Sequence, residues 1–128
     1  MKKNFLIVVA NYYKDISKGL LSSSKKLIPK GSRLKIIEVP GVFEIPMTIK
    51  KNIKRYDAFI ALGCVIKGQT PHFDFISQAS INAIMSLSID NKKPIGNGII
   101  TCLSLKQAKV RKKKGAEATK AVLSILSQ

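Results

Sequence analysis

Two periods of apolar residues alternate along this chain. "NFLIVVA" (4–10) is a continuous apolar run, the pattern of a strand buried on both faces. Ile16, Leu20, Leu27 and Ile28 then recur at helical spacing over 14–28, and Pro29 and Gly31 stop that helix. "RLKIIEV" (33–39) alternates as a second strand, punctuated by Pro40-Gly41. Ile45, Ile49 and Ile53 mark a second helix, with Pro46 tolerated in its first turn. "AFIALGCVI" (58–66) is a third buried strand. Ile76, Ala79, Ser80, Ala83, Ile84 and Leu87 form an apolar stripe on a long helix over 71–89. Pro94 opens a fourth strand, "IGNGIITC" (95–102). Ser104 and Gln107 form a capping box for a short helix over 105–111. Gly115 separates it from a last helix with Ala118, Ala121, Val122 and Ile125 inward.

The order βαβαβαβαα with buried strands predicts an α/β fold. Its form is a three-layer αβα sandwich on a four-stranded parallel sheet, in the flavodoxin-like order 2-1-3-4. The 128 residues suit a single domain spanning 1–128. Ligands of such sheets bind outside the carboxyl ends of the strands. Three segments lie there: "NYYKD", "PGVFE" and "KGQTPH".

Bulk composition narrows the setting. No apolar run approaches the roughly 20 residues that span a bilayer. "MKKNFLIVVANYY" imitates a signal peptide, but its apolar run is short and no small-residue cleavage site follows. A cytoplasmic location is expected. Cys64 and Cys102 stand apart and read as reduced core residues, so neither a disulfide nor a metal site is expected. The formal charge is +16, which raises nucleic-acid binding. Yet 20 of the 23 basic residues are Lys, scattered along the whole chain. Arg is the residue suited to phosphate clamping and base readout. Solvated lysine faces are the better account, and no specific nucleic-acid partner is expected.

The strand-end segments carry the candidate chemistry. In "CVIKGQTPHFDF" (64–75), Gly68 allows a tight turn, Thr70 suits an N-cap and Pro71 suits the first helical position. Backbone N–H groups near Gln69 and Thr70 would then face outward at a positive helix end, an anion site most natural for a phosphate. His72, the only histidine, sits beside it, and a helix N-terminus favours the neutral, proton-accepting imidazole. Lys67 adds a cation at the rim. In "PGVFE", peptide groups at 41–43 suit a planar polar ligand. Tyr12 or Tyr13 could stack on a ring. No glycine-rich nucleotide fingerprint or Walker lysine is present.

With these residues assembled, the chain resembles the lumazine synthase family. The matching stretches are "VPGVFEIP" (39–46), "ALGCVIKGQTPHFDF" (61–75) and "KGAEATKAVL" (114–123), with "IVVANYYKDISKGLL" (7–21) weaker. They occur in family order and cover nearly the whole chain. The resemblance implies condensation of 5-amino-6-(D-ribitylamino)uracil with 3,4-dihydroxy-2-butanone 4-phosphate, without cofactor or metal. The product is 6,7-dimethyl-8-ribityllumazine. His72 matches the family's proton-transfer histidine. Gln69 and Thr70 match its phosphate-binding turn, and Arg111 its phosphate-gripping arginine. Gly41, Val42, Phe43 and Glu44 match the segment that holds the pyrimidine and ribityl groups, and Val65, Ile66 and Lys67 line the same pocket. Tyr12 matches the stacking aromatic, and Lys114 the lysine before "GAE".

Three departures stand out. The family usually has Phe-Asn where this chain has Tyr12-Tyr13, so the Asn contact is missing. Asn97 replaces a phenylalanine of the fourth strand. The segment between Arg111 and Lys114 is shortened, which leaves Lys112 or Lys113 as alternative phosphate ligands. Neither Asn97 nor Arg111 should reach the cleft of its own subunit. The resemblance therefore implies a homo-oligomer with sites between adjacent subunits of a pentamer, twelve of which can close into a 60-subunit capsid. The short start and the shortened segment favour the isolated pentamer.

Overall fold

The structure, a computed structural model, describes residues 2–128. Four strands form its centre: β1 (Asn4–Ala10), β2 (Arg33–Val39), β3 (Ala58–Ile66) and β4 (Ile95–Cys102). They pair in parallel in the order β2-β1-β3-β4, the order anticipated from the alternation. Around them lie α1 (Lys14–Lys25), α2 (Ile45–Lys51), α3 (His72–Asn91), α4 (Leu105–Lys109) and α5 (Lys114–Leu126). A 3₁₀ turn over Val42–Glu44 precedes α2.

Side chains of a strand alternate between faces, so each strand feeds two cores. Phe5, Ile7 and Val9 of β1 join Ile60 and Leu62 of β3 against Ile16 and Leu20 of α1 and Ala118 and Val122 of α5. Leu6, Val8 and Ala10 join Phe59 and Ala61 against Ile45 and Ile49 of α2 and Ile84 of α3. That double burial is why β1 and β3 read as unbroken apolar runs.

The helix ends differ from expectation where local hydrogen bonds decide them. α1 stops at Lys25, and a tighter turn follows in which Leu27 and Ile28 donate to Ser24 and Lys25 carbonyls. α3 runs to Asn91. Lys92, left-handed at φ 53°, ends it, with its amide on Ile89 O and the Lys93 amide on Ser88 O. At its start Pro71 is the cap residue and His72 the first helical residue, one position later than expected. Thr70 Oγ1 accepts only a long bond, 3.4 Å, from the His72 amide. α4 ends at Lys109, short of 111. Its start keeps the Ser104 cap on the Gln107 amide, while the Gln107 side chain reaches the Leu103 amide.

Two inward faces also need correction. On α3, Ala79 is exposed and Ser77 is buried with Ser80 and Ile84. On α5, Ala121 and Ile125 are exposed, Gly115 lies inside the helix, and the buried face is Gly115, Ala118, Thr119 and Val122. Thr119 tolerates burial because its hydroxyl pairs with Ser24 Oγ at 2.7 Å and with the Ser24 and Gly115 carbonyls. Glycines set the closeness of this layer. A Cβ on Gly96 of β4 would run into the Ala118 carbonyl, and one on Gly115 into the Leu20 carbonyl of α1. No helix among the described residues is long and apolar enough to cross a membrane.

Candidate active site

β1, β2 and β3 end side by side, and the chain leaves each of them into a wall of one cavity of about 490 Å³. After β1, the Asn11 amide bonds Val39 O and the Ser17 amide bonds Tyr13 O. The Ser17 hydroxyl returns to Ala10 O. These bonds fix the short turn that carries Tyr12 and Tyr13. Their rings meet edge to face, 4.9 Å apart at 80°. Tyr12 is 75% exposed at the mouth, whereas Tyr13 is half-buried against the α1-side core.

After β2, extended Gly41 leads into the 3₁₀ turn, closed by the Glu44 amide on Gly41 O at 3.2 Å. Gly63 of β3 makes this turn possible. A Cβ there would stand 2.7 Å from Val42 Cγ2, so the turn could not lie against the sheet. Val42 is buried beneath it, and Phe43 and Glu44 stay exposed. Gly41, Val42, Phe43 and Glu44 thus form one wall, with their peptide groups beside the cavity.

After β3, the Lys67 amide bonds Cys102 O at 2.8 Å and carries the chain along the end of β4. Cys64, Val65 and Ile66 form the cavity floor, and His72 and Ile76, one helical turn apart on α3, close its side. His72 is exposed to the space it lines. The Asp74 and Phe75 amides share the Pro71 carbonyl, so the amides before them are outside the helical ladder and available to an anion.

Of the residues singled out from the sequence, Tyr12, Gly41, Val42, Phe43, Glu44, Val65, Ile66 and His72 are brought together here. Lys67, Gln69 and Thr70 lie exposed on the loop just outside the lining. Asn97, Arg111 and Lys114 are elsewhere. Asn97 is exposed within β4, opposite Ala61, and its Oδ1 accepts from the Ile99 amide. Arg111 Nη1 donates to Thr101 O at 3.2 Å and lies 3.8 Å from Cys102 Sγ. Cys102 O faces β3, so Thr101 O points off the unpaired edge of β4, and Arg111 covers that edge. Lys114 is 3.8 Å from Glu117. Lys112 is turned toward α1, where its stem lies over Gly19 and its carbonyl accepts from Ser23 Oγ.

Tyr13, Cys64 and Ile76 complete the lining without having been assigned to it from sequence. Ile76 was legible as His72 plus one turn, and Cys64 as the floor position two before Ile66. Burial, then the neighbouring Cys102 thiol, pushes the Cys64 thiol up from its ordinary 9.0 to about 12, against a smaller opposing pull from Arg111. It stays a neutral wall group. The sign follows from linkage. The unfolded thiol ionises near 9 and the folded one near 12, so its share of stability is whole below pH 9 and is lost as pH rises toward 12. Thermal melts at pH 8 to 11 should therefore show a smaller alkaline decline for Cys64→Ala than for wild type. Parallel declines would contradict this.

Comparison with known proteins gives a consistent result. The family profile described as 6,7-dimethyl-8-ribityllumazine synthase matches residues 2–128. A protein of that name from Methylorubrum populi is 40% identical, covering 95% of this chain and 80% of its own length. 6,7-Dimethyl-8-ribityllumazine synthase 1 of Rhodopseudomonas palustris is 42% identical, over 94% and 82%. The Agrobacterium fabrum protein is 38% identical, over 98% and 93%.

Proposed function

The chain belongs to the 6,7-dimethyl-8-ribityllumazine synthase family, and we propose that it condenses 5-amino-6-(D-ribitylamino)uracil with 3,4-dihydroxy-2-butanone 4-phosphate. The observation that carries this reading is the single cavity in which Tyr12, the Gly41–Glu44 peptides, Val65, Ile66 and His72 converge. An aromatic face, a row of peptide donors and acceptors, an apolar floor and one imidazole suit a flat polar heterocycle with a polyol tail.

The substrates react with each other. The pyrimidine amine attacks the ketone, and loss of water gives an imine. Phosphate then leaves by elimination, and attack of the ribityl-bearing nitrogen on the remaining carbonyl closes the ring as a second water departs. The protein holds the two reactants in register and moves protons. His72 takes and returns protons at the carbon and oxygen atoms that change bonding. The open amides around Gln69 and Thr70 receive the phosphate at the α3 start. Tyr12 stacks on the pyrimidine, and Lys67 sits at the rim.

The remaining groups come from a neighbour. Asn97 and Arg111 both sit on the free edge of β4, beyond the lining of their own cavity. Exposed Leu103, Leu105 and Val110 flank that edge, and exposed Phe43 and Met47 stand at the cavity wall. A second copy laying its β4 edge on the cavity covers both apolar sets and brings Asn97, Arg111 and Lys114 to the site. Such a contact joins unlike surfaces, and repetition closes a ring. The reading is a pentamer of this kind, acting in the cytoplasm.

Mixing both substrates with the protein should produce lumazine absorbance with steady-state kinetics. His72→Ala should lower kcat about tenfold, less than a usual acid–base residue, because the substrates' own chemistry supplies most of the drive. An unchanged kcat removes His72 from proton transfer, and no lumazine at all removes the proposed activity.

A further inference from the structure

Tyr13 stands where the family's pattern has an asparagine, yet the structure does not dismiss it to a packing role. Its ring closes the inner wall of the cavity beside Cys64, and its edge-to-face contact with Tyr12 holds the two rings at 80°. The Tyr13 hydroxyl makes no hydrogen bond to another side chain or to the backbone among the described residues. The Tyr13 backbone is fixed independently, through its carbonyl on the Ser17 amide. The side chain is therefore held in place while its one polar atom remains uncommitted. Burial, with Tyr12 and Cys64 as neighbours, pushes the phenol up, which keeps it a protonated donor.

Its place in the sheet says which reactant it meets. β1 lies between β2 and β3, so Tyr13 faces the Gly41–Glu44 wall, while the α3 start and Arg111 lie toward β4 at the other end. We propose that Tyr13 is a positioning residue for the pyrimidine substrate, its hydroxyl donating to a ring-carbonyl or ribityl oxygen. This rests on the condensation reading above. The phenol reaches further than an asparagine amide, so it serves the ligand from the core side of the wall and does not need the rim.

The test is Tyr13→Phe, which keeps the ring and its packing and removes only the donor. The KM for the aminouracil should rise about tenfold, the expected effect of leaving one polar ligand atom unpaired. The KM for the butanone phosphate and kcat should hold, and Tyr13→Asn should recover part of the loss. An aminouracil KM unchanged in Tyr13→Phe overturns the assignment, as does an equal rise for both substrates. Direct titration of the aminouracil, followed by tyrosine fluorescence without the second substrate, separates the two levels. If wild type binds it but Tyr13→Phe binds as tightly, Tyr13 has no such role. If wild type neither binds nor turns it over, the condensation reading itself fails and takes this assignment with it.

Discussion

Arg111→Ala should raise the KM for the butanone phosphate about a hundredfold, the loss expected when one charge-assisted contact to a phosphate is removed. The aminouracil KM should change little. Arg111→Lys should recover only part, since an ammonium supplies charge without the planar fork. Arg111 is the better candidate than its neighbours for a structural reason: Lys112 is folded over Gly19 toward α1, whereas the Arg111 guanidinium lies on the outer edge of β4. A phosphate KM unmoved by Arg111→Ala would pass the role to Lys113, which is exposed.

The same variant tests the shared site. Gly41 is extended at φ −147°, ψ 171°, so a tryptophan fits its backbone and fills the cavity instead. Gly41→Trp should be inactive alone, and Arg111→Ala nearly so at low phosphate substrate. Refolded together in equal amounts, they should regain about a quarter of wild-type activity. Each ring site then pairs a cavity and an edge drawn from different copies, and about one in four draws is intact in both. No regain would place cavity and arginine in one subunit. Light scattering on the same sample reads the pentamer directly.

The reach of the sequence can be judged residue by residue. β1 and β3 were plain because both faces are buried, and the 41–44 and 64–72 segments were plain because ligands of such sheets gather at strand ends. What escaped has a common physical cause. Helix ends at Lys25, His72 and Asn91 depend on which amide finds which carbonyl, and apolar spacing carries no trace of that. The inward face of α5 escaped because it is built from Gly115 and Thr119, whose value lies in small size and in a hydroxyl partner on another helix. Gly63 escaped similarly, since its service to the site is the space it leaves for Val42. Tyr13 was visible as a departure, but only the packed ring and free hydroxyl give it a use.

Gly115→Val should be the most damaging single change to the fold. Gly115 lies in the first turn of α5, against α1. Its added Cβ would press into the Leu20 carbonyl, and it would also crowd Ser23 Oγ at 2.6 Å. Backbone cannot swing aside as a side chain can. Retreat of α1 would lift fully buried Leu20 from the core and stretch the bonds from the Ala116 amide to Ser23 Oγ and between Ser24 and Thr119. Gly→Ala in a helix normally gains up to about 1 kcal/mol in propensity. Overpacking a tight contact costs about 1–3 kcal/mol, so even Gly115→Ala should come out destabilising. Valine adds two methyl groups and forfeits much of the propensity gain, so a loss of about 3 kcal/mol or more is expected. In urea, at fixed protomer concentration, the midpoint should fall by about 1–2 M. Gly68→Ala is the control, because its Cβ meets nothing within 4 Å and its stability should stay within about 0.5 kcal/mol. A Gly115→Val midpoint equal to wild type would mean that α1 and α5 can separate freely. The 111–114 segment, tied to α1 through Lys112 O, would then lack the support that aims Arg111 at the neighbouring cavity.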